Sequence, residues 1–127
     1  LHGELGAGKT AFVQHLARIL GVLEPVTSPT FVIMRLYPLA GNDRYRKLVH
    51  IDAYRVRSVA EMGVIGLDAV LNDPANLLCI EWAERIGHIL PESALHIVFT
   101  HPDVSKGNSD RTVMYGYENH DENTHKS

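Results

Sequence analysis

The stretch Gly3-Glu4-Leu5-Gly6-Ala7-Gly8-Lys9-Thr10 constrains the fold more than any other part of the chain. It is a complete G-x-x-x-x-G-K-[ST] loop, in which Gly3, Gly6 and Gly8 let successive backbone N–H groups turn inward around phosphate oxygens. A helix has to open out of such a loop, because its N-terminus adds partial positive charge to the same pocket. The sequence supplies one: Phe12, Leu16, Ile19 and Leu20 recur at helical spacing between Lys9 and Leu20, and Gly21 follows as a stop. A strand normally precedes the loop. Only Leu1-His2 stand before it, so the first core strand is expected to be largely missing through an N-terminal truncation.

Beyond the first helix, Pro25 to Pro29 reads as a loop and Phe31 to Tyr37 as a strand, with a turn at Gly41-Asn42-Asp43. Three short apolar runs, Leu48 to Asp52, Leu77 to Glu81 and Leu95 to Thr100, have the length and composition of buried strands. Short helices are expected at Ser58 to Gly63 and Ala83 to Gly87, and a last strand at Arg111 to Tyr117. This alternation predicts an α/β, P-loop NTPase-like fold: a mainly parallel sheet with helices on both faces. With 127 residues there is room for one such domain, expected over residues 1–117, and the polar stretch 118–127 reads as a disordered tail.

Composition removes several classes of function. Twelve basic and 15 acidic residues leave a net charge of −3, so no basic field exists to hold nucleic acid. The single cysteine, Cys79, lies in an apolar run and reads as a buried residue in a reducing compartment. No apolar run approaches the roughly 18 residues of a membrane span, and no leader precedes the loop, so a cytoplasmic protein is expected. Eight histidines form no dense ligand pattern with that cysteine.

The chemistry follows from the loop. Lys9 is positioned to bridge the β- and γ-phosphates of ATP, and the Thr10 hydroxyl to take one place on magnesium. A further carboxylate is required at the end of an apolar strand, and both Glu81 and Asp52 satisfy this. One would order magnesium and the other orient the attacking water; spacing leaves open which does which. Thr27-Ser28-Pro29-Thr30-Phe31 falls where γ-phosphate-sensing segments occur, although its hydroxyls would equally serve local backbone groups. Arg55 and Arg111 could neutralise phosphate charge, but isolated arginines are usually surface residues, and Trp82 reads first as packing.

Taken in order, the loop, Thr27-Ser28-Pro29-Thr30-Phe31, His50-Ile51-Asp52-Ala53-Tyr54-Arg55 and Ile80-Glu81-Trp82 closely resemble the bacterial TsaE family over residues 1 to about 115. The resemblance implies an ATPase supporting threonylcarbamoylation of adenosine 37 in tRNAs that read codons beginning with A. It implies ATP and Mg²⁺ as cofactors, a TsaB–TsaD complex as protein partner, and contact with tRNA only indirectly. By the same resemblance, Glu4, Leu5, Gly6, Ala7, Gly8, Lys9, Thr10 and Ala11 contact the nucleotide. Thr10 and Glu81 hold the metal, and Asp52 and Thr30 act in catalysis. Ala11 departs from the many members that carry a second hydroxyl there. The alternative is a P-loop small-molecule kinase, which needs an arginine-rich lid that the sequence lacks. A GTPase would need an Asn-Lys-x-Asp stretch, also missing.

Overall fold

A computed structural model describes residues 1–29, 33–102, 104–107 and 110–117. Strands β1 (Met34–Pro38), β2 (Lys47–Asp52) and β3 (Asn76–Glu81) form one sheet in that order, and β4 (Leu95–Thr100) pairs with β5 (Thr112–Tyr117) in a second. The β2–β3 pairing is parallel, whereas β1–β2 and β4–β5 are antiparallel. Leu1 and His2 lie between the two sheets: the Leu1 nitrogen donates to the Ile80 carbonyl and the Trp82 N–H to the Leu1 carbonyl. On the other side, the His2 N–H donates to Ile97 and the Phe99 N–H to the His2 carbonyl. His2 bridges Val98 in parallel sense. The centre of the layer is therefore parallel, as the alternating pattern predicts, and only its two edges are antiparallel.

Helices cover both faces. The helix α1 (Lys9–Ile19) packs on one side, where Val13 and Ala17 meet Leu48, Cys79 and Phe99. On the other, Val49, Ile51 and Ile80 pack with Met62 of α2 (Val59–Val64), Leu67 of α3 (Leu67–Leu71) and Ile86 of a 3₁₀ segment (Ala83–Ile89). Successive strand residues point to opposite faces, which is why neighbours Leu48 and Val49 enter different clusters. Residues 48–52 of β2 are all buried, since both faces are covered.

Several expectations shift. The α1 stripe is centred on Val13 and Ala17, while Phe12, Leu16 and Leu20 flank it and Ile19 points to solvent at 82% exposure. The 83–89 segment is a 3₁₀ helix, kinked at Ile86. The five-residue α3 is too short to leave a periodic signal. The expected strand at Phe31 to Tyr37 is found from Met34, its first residues lying outside the described set, as do Thr30 and the tail 118–127. Among the described residues no helix is long and apolar enough to cross a membrane.

Candidate functional site

The glycine loop is folded by backbone geometry that side chains resist. Gly3 has φ +140°, and a Cβ there would stand 2.6 Å from the Phe99 carbonyl oxygen. Gly8, at φ 116°, turns the chain into α1, whose first turn has neither a side-chain cap nor an acidic residue. The helix N-terminus is thereby left electropositive.

Lys9 follows and is buried, 5% exposed. Its ammonium donates to the Gly3 carbonyl and, at 3.2 Å, to that of Glu4, and lies 3.9 Å from the centre of the Trp82 ring. Burial lowers its pKa from the ordinary lysine value, opposed by the carboxylates of Glu81, Glu84 and Asp52 in that order. Trp82 holds this position with φ 56°, a left-handed conformation that a bulky side chain adopts only when its surroundings enforce it. Its ring also packs against Tyr54, 5.0 Å between centroids.

Parallel register sets the two strand-end carboxylates side by side, because Asp52 pairs with Glu81 across β2 and β3. The Thr10 hydroxyl, on the first turn of α1, reaches both Glu81 oxygens, at 2.9 and 3.1 Å. His50 Nε2 stands 2.5 Å from Glu81 Oε2. The Asp52 carboxylate accepts from the Tyr54 N–H at 2.9 Å and from the Ser28 hydroxyl at 3.4 Å.

Apart from the fully buried His50, these groups face one open cavity of about 490 Å³, walled also by Leu5, Gly6, Ala11, Arg55 and Arg111. Both arginines that sequence alone leaves as surface residues thus stand at the site. Glu4 and Ala7 do not line the wall: Ala7 is buried in the α1-side core, and its N–H is used within the loop on the Glu4 carbonyl. Sequence reasoning missed His50 as a partner of Glu81 and Trp82 as the platform for Lys9. The only clue to His50 is a histidine inside an otherwise apolar buried strand.

The donor set fits a nucleotide with a hard cation. Oxygens of a hydroxyl and a carboxylate are magnesium-type ligands, and the cavity adds a buried ammonium and two guanidinium groups. Among the described residues no three His, Cys, Asp or Glu side chains could hold a metal by themselves. Magnesium usually takes only one or two protein carboxylates and completes its shell with phosphates and water, which such a site allows.

Comparison with known proteins agrees in sequence and in shape. The profile of a family described as Threonylcarbamoyl adenosine biosynthesis protein TsaE matches residues 1–112. The tRNA threonylcarbamoyladenosine biosynthesis protein TsaE of Streptomyces coelicolor is 44% identical over 98 residues, 76% of this chain and 64% of the relative. Its counterpart in Bacillus subtilis is 41% identical over 98 residues, covering 77% and 58%. A crystal structure of YdiB from Bacillus subtilis superposes with a TM-score of 0.67 at 31% identity, covering 93% of this chain and 66% of that one. The chain thus spans roughly three fifths of the length of these two curated relatives.

Proposed function

This chain belongs to the TsaE family, which acts in tRNA threonylcarbamoyladenosine biosynthesis, and from that premise we propose that it is a magnesium-dependent ATPase serving that modification. The observation that carries the reading is the Thr10 hydroxyl bonded to both oxygens of Glu81 at the mouth of a complete phosphate loop. Nothing in ordinary packing calls for that pair beside a buried lysine.

The residues divide the work by position. Lys9 exchanges the Gly3 and Glu4 carbonyls for the β- and γ-phosphates, whose charge restores the pKa that burial depresses. The loop N–H groups of Leu5, Gly6, Gly8, Lys9, Thr10 and Ala11, at the N-terminus of α1, cradle the phosphates. Thr10 and Glu81 hold magnesium, which when bound neutralises charge building on the phosphate oxygens. Asp52, oriented by the Tyr54 N–H, positions the attacking water and takes its proton. Arg55 and Arg111 lend positive charge from the cavity wall. Thr30, outside the described residues, belongs to the γ-phosphate-sensing segment. A TsaB–TsaD complex in the cytoplasm is the protein partner, with tRNA reached only through it.

The test is ATP turnover and tRNA modification by this chain with and without TsaB–TsaD. Hydrolysis that is slow alone, rises with the partner and needs Mg²⁺ supports the reading. Phosphate transfer to a small molecule, or no hydrolysis in either condition, overturns it.

A further inference from the structure

His50 lies fully buried in the middle of β2, in register with Cys79 of β3 and on the same face as Leu48 and Glu81. An aliphatic side chain would pack there without a polar atom to satisfy. The ring instead reaches Glu81 Oε2 through Nε2 at 2.5 Å, while its Nδ1 is buried with no partner among the described residues. A proton on Nδ1 would be desolvated with nothing to accept it, whereas a proton on Nε2 is received by the carboxylate. The Nε2–H tautomer is therefore the one this pocket accommodates. Glu81 is gripped from two directions, by His50 on one oxygen and by Thr10 on both.

We propose that His50 is a positioning residue. Its Nε2–H donor fixes the Glu81 carboxylate toward the Thr10 hydroxyl, so that the two oxygen ligands are set as a pair before a divalent cation arrives. The proposal rests on the reading of Glu81 as a magnesium ligand. Groups that orient metal ligands from behind commonly change metal affinity 10–100-fold when removed.

The experiment is calorimetric titration of ATP in excess Mg²⁺ and in chelator, on the parent, His50→Gln, His50→Asn and Glu81→Gln. The glutamine amide can still donate from near the Nε2 position; the shorter asparagine cannot. For His50→Asn, at least a roughly tenfold loss of the affinity gained from Mg²⁺ is expected, with metal-free ATP binding unchanged within about twofold. His50→Gln should recover most of it. If both variants lose thermal stability alike yet keep the parent's gain, His50 only packs and the proposal falls. If Glu81→Gln keeps that gain, the reading of Glu81 fails instead, a separate result. Nitrogen-15 NMR of the parent's imidazole decides the matter even if no variant folds: a proton on Nε2 supports the assignment, and one on Nδ1 with a bare Nε2 refutes it.

Discussion

The ammonium of buried Lys9 is received by two loop carbonyls and the face of Trp82, and the carboxylates of Glu81, Glu84 and Asp52 oppose the depression of its pKa by burial. Removing Lys9 takes away the cation nearest the loop, so Lys9→Ala should weaken ATP binding at least tenfold, about 1.5–3 kcal/mol for a charge-assisted contact. Unchanged affinity by calorimetry would contradict the placement. Trp82 is the only tryptophan, so its fluorescence should shift when ATP draws Lys9 off its ring, and shift without ATP in Lys9→Ala. Asp52→Asn should bind ATP like the parent yet lose roughly 10²-fold in turnover, because a water-orienting carboxylate acts mainly in the transition state. Parent-like hydrolysis by that variant in the presence of TsaB–TsaD would return Asp52 to a structural role. Lys9, Thr10, Asp52 and Glu81 were legible because motif spacing and strand ends mark them locally. The contact between His50 and Glu81 depends on how β2 registers against β3, and the seat of Lys9 on Trp82 depends on a left-handed backbone after β3. Neither contact can be read from the order of residues, although a histidine within an apolar run marks His50 itself.

Elements follow the same rule: those with a local signature were read well. Turn glycines and apolar runs locate α1 and β2 to β5 within a residue or two, because each segment's pattern carries its own period. The direction of the edge strands and the buried face of α1 are tertiary outcomes, settled by what packs against them. Ile19, expected in the apolar stripe, stands out in solvent. Ile19→Lys should therefore change stability by less than about 0.5 kcal/mol in urea unfolding, whereas Leu48→Ala, inside the α1-side cluster, should cost about 2–5 kcal/mol. The loop has a comparable fixed point at Gly3, where an added methyl group meets the Phe99 carbonyl on β4. Gly3→Ala should lower stability by about 1–3 kcal/mol and blunt nucleotide binding along with it. A neutral effect on both would mean that the loop tolerates a shift away from β4.

At the scale of the molecule, burial raises the Cys79 thiol from 9.0 to about 11. An acid whose pKa is higher in the folded chain contributes stability below its ordinary value and loses it as pH climbs toward the folded value. Unfolding free energy should accordingly fall between about pH 9 and 11 by up to ~2–3 kcal/mol from this group. The lowered pKa of Lys9 works in the opposite sense in the alkaline range, so the contrast with Cys79→Ala isolates the thiol. A parent and variant with parallel pH profiles would discount it. The arrangement of Leu1 and His2 has a mechanical corollary. Among the described residues, the main-chain hydrogen bonds joining the two sheets pass through these two residues alone, and the phosphate loop leaves directly from that seam. Main-chain bonds, and the packing of Phe99 in the α1-side cluster with Ile97 and Val113 against it, thus hold the β4–β5 ribbon beside the loop. Because Arg111 beside β5 faces the same cavity as Lys9 and Glu81, a nucleotide lodged there acts as a stitch across the seam, slowing amide exchange with deuterium in the ribbon more than in the three-stranded half.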